Sequence, residues 1–391
     1  MRGAEPDPRA VARALLRWYA RDGRDLPWRR NPDPYRALVS EVMLQQTTVE
    51  TVIPRFERLV AVYPDFASLA AAPEEDLLRL WSGLGYYRRA RNLRAAARAV
   101  VERHGGRLPR DLRALRRLPG VGPYPAAALA AIVHGGKVLA LDGNLRRVLA
   151  RLVAYRGDPR STQGEAALRR AGDRIIAEGA DPSALNQALM DVGASICSPR
   201  APRCGACPVR SQCDARRAGL AEEIPRPRPR RAAIEVTLHA WVVRRGERIL
   251  VRRRRGRLME GMWDFPMFEA ERAGPVLGPA LPSARRRGRI RHAITHHRLR
   301  IEIFEARAIP AARRRLVEAG ARRGRKGPSP IAGAIEPGDL RWVRASSVGS
   351  LPLTGIALKI LGALDGRGAG RGAGAATRAT RRGSGTTASG S

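Results

Sequence analysis

The only four cysteines in the 391 residues, Cys197, Cys204, Cys207 and Cys213, fall close together, spaced C-x6-C-x2-C-x5-C. Thiolates are ligands for soft metal centres, and four this close can enclose one. A four-cysteine zinc ion and an iron–sulfur cluster both fit that donor set. Zinc modules usually bring two CxxC pairs, and here there is one. Arg200 and Arg203 lie between the first two cysteines, where they could press onto a phosphate. Two carboxylates further upstream are candidates for acid–base work. Glu41, in Ser-Glu-Val-Met-Leu-Gln-Gln-Thr, falls on a helical pattern whose apolar face carries Leu38 and Val42. The spacing puts Gln45 on the face of Glu41, with Gln46 beside it. Asp142, in Leu-Asp-Gly-Asn, follows a strand-like apolar run from Val138. By itself Asp-Gly-Asn signals only a turn.

These residues need elements to hold them. Residues 10 to about 218 show apolar positions at three- and four-residue spacing, with no convincing alternating strand. Within them, Leu118 to Gly122 read Leu-Pro-Gly-Val-Gly, followed by Tyr124 and an alanine-rich helix. Gly120 and Gly122 let backbone N–H groups approach a phosphate, and the helix adds its positive end. Residues 221–232 are rich in proline and arginine and read as a stiff linker. Strand patterns follow at Ile234–Val243, Arg248–Arg252, Leu299–Phe304 and Leu340–Val343, with a helix after Pro310. Residues 321–330 read as a basic loop. Residues 366–391 carry too little apolar content to fold. The expected architecture is multidomain: an all-α domain, then an α+β domain.

Composition points to the partner. Lys and Arg number 73 against 36 Asp and Glu, a formal net charge of +37. Such a field favours a polyanion, nucleic acid before an anionic membrane surface. No apolar run is long enough to span a bilayer, so no membrane partner is expected. The N-terminus has no signal-peptide pattern, and the expected location is cytoplasmic.

The cysteine spacing resembles that of endonuclease III-like glycosylases. SEVMLQQT, GLGYYRRARNL, LPGVG, LDGN and the cysteines follow one another as in the MutY family of adenine DNA glycosylases, through roughly residues 15–215. The resemblance implies a helix-hairpin-helix glycosylase domain over 1–220, with a six-helix barrel at about 30–135 and a cluster module from 1–29 and 136–218. It implies one 4Fe–4S cluster on Cys197, Cys204, Cys207 and Cys213. Hydrolysis of a purine–deoxyribose bond calls for one carboxylic acid and one carboxylate. By resemblance Glu41 is the acid and Asp142 the carboxylate, supported by Tyr124 and Asn144. Arg24, Leu26, Trp28, Leu44, Gln187 and Met190 match positions lining an adenine pocket. Read without the resemblance, Trp28 and Leu44 are equally well core residues. Gln46 and Tyr86 match residues that wedge into the duplex. Bifunctional relatives carry a lysine where Tyr124 stands, and a phenol forms no imine. A monofunctional enzyme is expected, monomeric, acting on double-stranded DNA with adenine opposite 8-oxoguanine or guanine. A thymine or uracil mismatch glycosylase is the alternative, and Glu41 argues against it.

GMWDFPMFE resembles a segment of the family's Nudix-like C-terminal domain, expected at 233–365. The chain has no REXXEE helix, so this domain is expected to recognise DNA rather than hydrolyse. The family's 8-oxoguanine loop usually reads Phe-Ser-His. Ile294, Thr295 and His296 stand there, keeping a hydroxyl at Thr295 and losing the aromatic.

Overall fold

Helix starts in the first half are set by short polar side chains. Asp7, Asp33, Asp65, Asp111, Asp142, Ser161 and Asp181 each accept a backbone N–H in the first turn that follows. They satisfy donors that have no partner inside a helix. The structure, a computed structural model, describes residues 5–30, 33–226, 232–255, 258–270, 281, 283–309, 312–321 and 335–365. The basic segment 322–330 and the tail 366–391 lie outside the described residues.

The first helices are α1 (Pro8–Asp22), α2 (Pro27–Arg30), α3 (Pro34–Leu44), α4 (Val49–Val62) and α5 (Phe66–Ala71). Next come α6 (Glu74–Leu80), α7 (Arg88–His104), α8 (Leu112–Arg117) and α9 (Pro123–His134). α2 to α9 enclose one core, with Leu38, Val42, Phe56, Trp81 and Leu93 fully out of water or nearly so. Then follow α10 (Gly143–Leu152), α11 (Thr162–Ala177), α12 (Pro182–Asp191) and α13 (Asp214–Arg217). These return to α1 and build a second core from Val11, Leu15, Leu149, Ile176 and Leu189.

The apolar run before Asp142 forms no strand. One side chain takes the place of a strand partner. Asn186 Oδ1 accepts from Ala140 N at 2.8 Å, and Asn186 Nδ2 donates to Val138 O at 3.0 Å. The segment expected to begin the linker is tied down as far as Ile224, which is buried in the second core. Its carbonyl accepts from Arg151 Nε at 2.7 Å. Residues 227–231 lie outside the described residues.

The C-terminal part is a seven-stranded sheet. Its strands are β1 (Ile234–Arg245), β2 (Arg248–Arg253), β3 (Trp263–Asp264), β4 (Met267–Glu269), β5 (Arg285–Ile294), β6 (His297–Arg307) and β7 (Leu340–Arg344). Strand order is β3-β2-β1-β6-β5, with β4 on β1 and β7 on β2. β1 and β6 are parallel from Ile234↔His297 to Arg244↔Arg307, and the other pairs are antiparallel. Alternation along β1 sends Leu238, Ala240 and Val242 to one face and Trp241 and Val243 to the other. Helix α15 (Gly355–Leu364) covers the first face and α14 (Ala312–Ala321) the second. The sequence reading missed β5, whose arginine-rich alternation hides a half-buried strand. Met262, just before β3, is fully buried in the first helical core, so the sheet docks on the helices there. Among the described residues no helix is long and apolar enough to cross a membrane.

Candidate active site

Glu41 sits in the last turn of α3. Its neighbours Val39, Ser40, Val42 and Met43 are buried with it. Helix α3 ends at Leu44, Gln45 is extended, and Gln46 takes a left-handed φ of 59°. Gln45 therefore lies past the helix end, contrary to expectation, yet it lines the same cavity as Glu41. Arg89 explains the break. This buried guanidinium donates to the carbonyls of Val42, Met43 and Gln45, which have no helical partner, and to Leu84 O, Gly85 O and Thr47 Oγ1. It binds the end of α3 to the loop that carries Tyr86.

Tyr124 comes from the first turn of α9. Gly120 before it has φ +77°, and a Cβ there would stand 2.6 Å from Asn92 Cβ. Only glycine makes this turn without displacing α7. Gly122 caps α9, and Pro123 opens it. Asp142 caps α10, accepting from Leu145 N at 2.7 Å. Asn144, in the first turn, accepts from Arg147 at 2.9 Å.

Glu41, Tyr124, Asp142 and Asn144 face one cavity of about 840 Å3. Its wall includes Glu41, Tyr124, Asp142 and Asn144 together with Arg24, Leu26, Trp28, Leu44, Gln46, Gln187 and Met190. Trp28 serves both roles considered for it. It packs edge-on to Phe56 in the core, centroids 5.3 Å apart, and still lines the cavity. Gln187 Nε2 donates to Ser183 Oγ at 3.2 Å.

The electrostatics separate the two acids. Burial pushes Glu41 up to about 7, helped by the charge of Asp142 and opposed by the Tyr124 hydroxyl and Arg29. Burial also raises Asp142, but backbone N–H groups of Leu145 and Asn144 and the charges of Arg147 and Arg146 work against it. The Tyr124 phenol is raised well above its ordinary value by burial and by both carboxylates, so it stays protonated.

A second groove, of about 780 Å3, is lined by Gln46, Tyr86, Arg88, Met259 and Thr295. Six described non-glycine residues have positive φ: Gln46, Tyr86, Ala154, Ala201, Met259 and Thr295. Four of the six line this groove, and such backbone strain gathers at working surfaces. Thr295, expected in a loop, lies in the tight turn between β5 and β6 with its side chain exposed.

The four cysteines surround one small cavity of about 30 Å3, walled by Val148, Leu152, Val192 and Ile196. Burial, with the neighbouring thiols, raises Cys207 to about 12. Arg151 donates to Cys197 Sγ at 3.2 Å. Among the described residues, no three of His, Cys, Asp or Glu are grouped so as to hold a single metal ion.

Comparison with known proteins bears on this arrangement. Residues 39–173 match the model of the HhH-GPD superfamily of base excision DNA repair proteins, and 239–363 match the NUDIX domain. The chain is 44% identical to an adenine DNA glycosylase of Homo sapiens over 212 residues, 52% of this chain and 39% of the relative. It thus spans about two fifths of that relative's length. An adenine DNA glycosylase of Mycolicibacterium smegmatis is 39% identical over 208 residues, 53% of this chain and 69% of the relative. The chain belongs to the adenine DNA glycosylase family. A solved thermostable thymine-DNA glycosylase is also similar, at 31% identity and TM-score 0.49, covering 54% of this chain and 97% of that one.

Within this adenine DNA glycosylase family member, sequence reasoning missed several residues that hold the site. Arg89 was visible in GLGYYRRARNL without a role. Gly193 approaches α10 so closely that a Cβ would meet Asn144 Cβ at 2.8 Å. Arg147 links Asn144 to the cysteine segment through Cys197 O at 2.7 Å and Gly193 O at 2.7 Å. Asp191 is buried beneath two cavity arginines. A buried ion pair between distant segments leaves no local pattern to read.

Proposed function

We propose that this protein is a monofunctional adenine DNA glycosylase of base-excision repair. It hydrolyses the N-glycosidic bond of adenine mispaired with 8-oxoguanine or guanine in double-stranded DNA. The observation that carries this reading is the convergence of Glu41, Tyr124 and Asp142 on one cavity, with Glu41 pushed up to about 7.

The adenine must leave the stack to be reached, and the cavity is roomy enough for a base and its sugar. The Glu41 acid gives its proton to adenine N7. The C1′–N9 bond breaks and its electron pair goes to the base. The Asp142 carboxylate faces the sugar cation that results. Water adds to C1′ and its proton returns to Glu41, now the base. The Tyr124 hydroxyl orients the Glu41 carboxyl, and Asn144 supports the Asp142 turn. Tyr124 offers no amine for an imine, so strand cleavage does not follow. Arg24, Leu26, Trp28, Leu44, Gln187 and Met190 enclose the base.

Gln46 and Tyr86 wedge into the duplex, Thr295 supplies the hydroxyl that reads the oxidised guanine, and Gly120 and Gly122 hold a phosphate. The left-handed backbone of Gln46, Tyr86, Thr295 and Gly120, and the place of Gly122 as the cap of α9, support these roles. Cys197, Cys204, Cys207 and Cys213 fit one 4Fe–4S cluster. Their thiols ring one apolar cavity, and four thiolates with a single CxxC pair suit such a cluster. Bound there, it would cross-link this segment and hold Arg200 and Arg203 toward DNA, and would supply no chemistry at the sugar. The reading keeps a glycosylase domain at 1–220 and a recognition domain at 233–365, in a monomer acting at the bacterial nucleoid.

Glu41→Gln and Asp142→Asn test it. Each abolishes adenine release in single turnover while leaving DNA binding largely intact. Near-wild-type release by either variant removes that residue from the mechanism.

A further inference from the structure

Asp191, at the end of α12, is fully buried and takes no part in the chemistry above. Its carboxylate accepts from Arg24 N at 3.0 Å and Arg24 Nε at 2.7 Å. It also accepts from Arg29 Nη1 at 2.8 Å and Nη2 at 3.0 Å. Both guanidiniums line the cavity that contains Glu41. Arg29 is pinned further by a bond to Arg24 O at 3.1 Å and by the Tyr19 ring, 5.5 Å away. One buried anion therefore serves two cations that reach the cavity from α2 and from the loop before it.

The groups facing Glu41 can be named. Tyr124 comes from α9, Asp142 from the cap of α10, and Arg29 from α2. Tyr19 of α1, Arg24 and Glu50 of α4 complete the charged and titratable wall. Arg29 is the cation acting on Glu41, and a nearby cation favours a carboxylate over the acid. Glycosylase chemistry needs the acid.

We propose that Asp191 is a positioning residue that pins Arg29 and Arg24 to the cavity wall and balances their charge, so that Glu41 keeps the proton it gives to adenine. This rests on the glycosylase reading above. The charge state of Asp191 agrees with it. Burial pushes Asp191 up, but the bonds and charge of Arg29, then of Arg24, hold it below the usual carboxylate range. It therefore stays an anion wherever Glu41 titrates.

Asp191→Asn keeps the size of the side chain and deletes its charge. The test is single-turnover adenine release by the full-length protein from a duplex carrying A opposite 8-oxoguanine, between pH 5 and pH 9. The alkaline limb of the rate profile is expected to move down by about one pH unit. The loss is then about tenfold at pH 8 and small at low pH. A merely structural role lowers the rate by the same factor at every pH, and that result overturns the proposal. Arg29→Met, with Asp191 intact, covers the case in which Asp191→Asn does not fold. Its alkaline limb moves to higher pH, and a limb that stays put or moves down overturns the proposal. Absence of adenine release by the wild type would instead overturn the glycosylase reading, and this inference with it.

Discussion

Asn144 and Cys197 are joined through one guanidinium: Arg147 donates to Asn144 Oδ1 at 2.9 Å and to Cys197 O at 2.7 Å. The first turn of α10 carries the Asp142 cap, and one turn on it grips the cysteine segment. Arg151, a turn further, donates to Ser198 O at 2.7 Å. Helix α10 is thus a rigid strut between the Asp142 carboxylate and the cysteine segment.

Arg147→Gln cuts this strut and also removes one of the charges that favour the Asp142 carboxylate. Single-turnover adenine release falls by about tenfold or more, as small misplacement of a reacting group does. Lysine at 147 restores only part of the rate, because an ammonium lacks the fork that reaches both oxygens. An unchanged rate in Arg147→Gln would show that Asn144 needs no such anchor.

Glu41→Gln separates stability from catalysis. The folded carboxyl titrates at about 7 and the unfolded one at its ordinary 4.5. A raised folded value means stability is fully present below 4.5 and is lost as pH rises through 7. Wild type therefore carries a cost at pH 8 that glutamine does not, at most about 3 kcal/mol. Denaturant unfolding at pH 8 finds Glu41→Gln the more stable protein, and at pH 4.5 the difference largely disappears. A variant less stable at both pH values would contradict the burial cost assigned to Glu41.

Much of this site was legible in the sequence because its residues sit in short local patterns. SEVMLQQT put Glu41 on a helix, LPGVG marked a tight turn before a helix, and the cysteines stood together. The errors came where a distant residue overrode local spacing. Arg89 ends α3 before Gln45 can continue the face of Glu41, and Asn186 turns a strand-like run into an extended loop. β5 was missed because its outward arginines dilute the alternation that Ile290 and Ile294 carry. Asp191 was unreadable, since its partners lie more than a hundred residues away, and nothing beside Arg147 signals its hold on the cysteine segment fifty residues on.

Arg89→Met tests the join between the two loops that carry Gln46 and Tyr86. Methionine keeps the bulk and leaves several buried carbonyls unsatisfied, each worth about 1–3 kcal/mol. The protein loses at least about 3 kcal/mol in denaturant unfolding, and Arg89→Lys recovers part of it. Loss below about 1 kcal/mol would mean that the carbonyls find water instead.

Thr295→Ala removes the hydroxyl proposed to read the opposite base. The ratio of release rates from A opposite 8-oxoguanine and A opposite guanine, below saturation, falls several-fold. That matches about 1 kcal/mol for one hydrogen bond. An unchanged ratio assigns the discrimination to other residues of the groove.

A single-turnover assay of wild-type protein on three duplexes separates adenine from thymine release and base excision from strand cleavage. The duplexes carry A opposite 8-oxoguanine, A opposite guanine, and T opposite guanine, each resolved with and without alkali. Strand breaks are expected from both adenine duplexes only after alkali, fastest opposite 8-oxoguanine, and none from thymine. Release of thymine in preference to adenine, or breaks without alkali, would contradict a monofunctional adenine glycosylase.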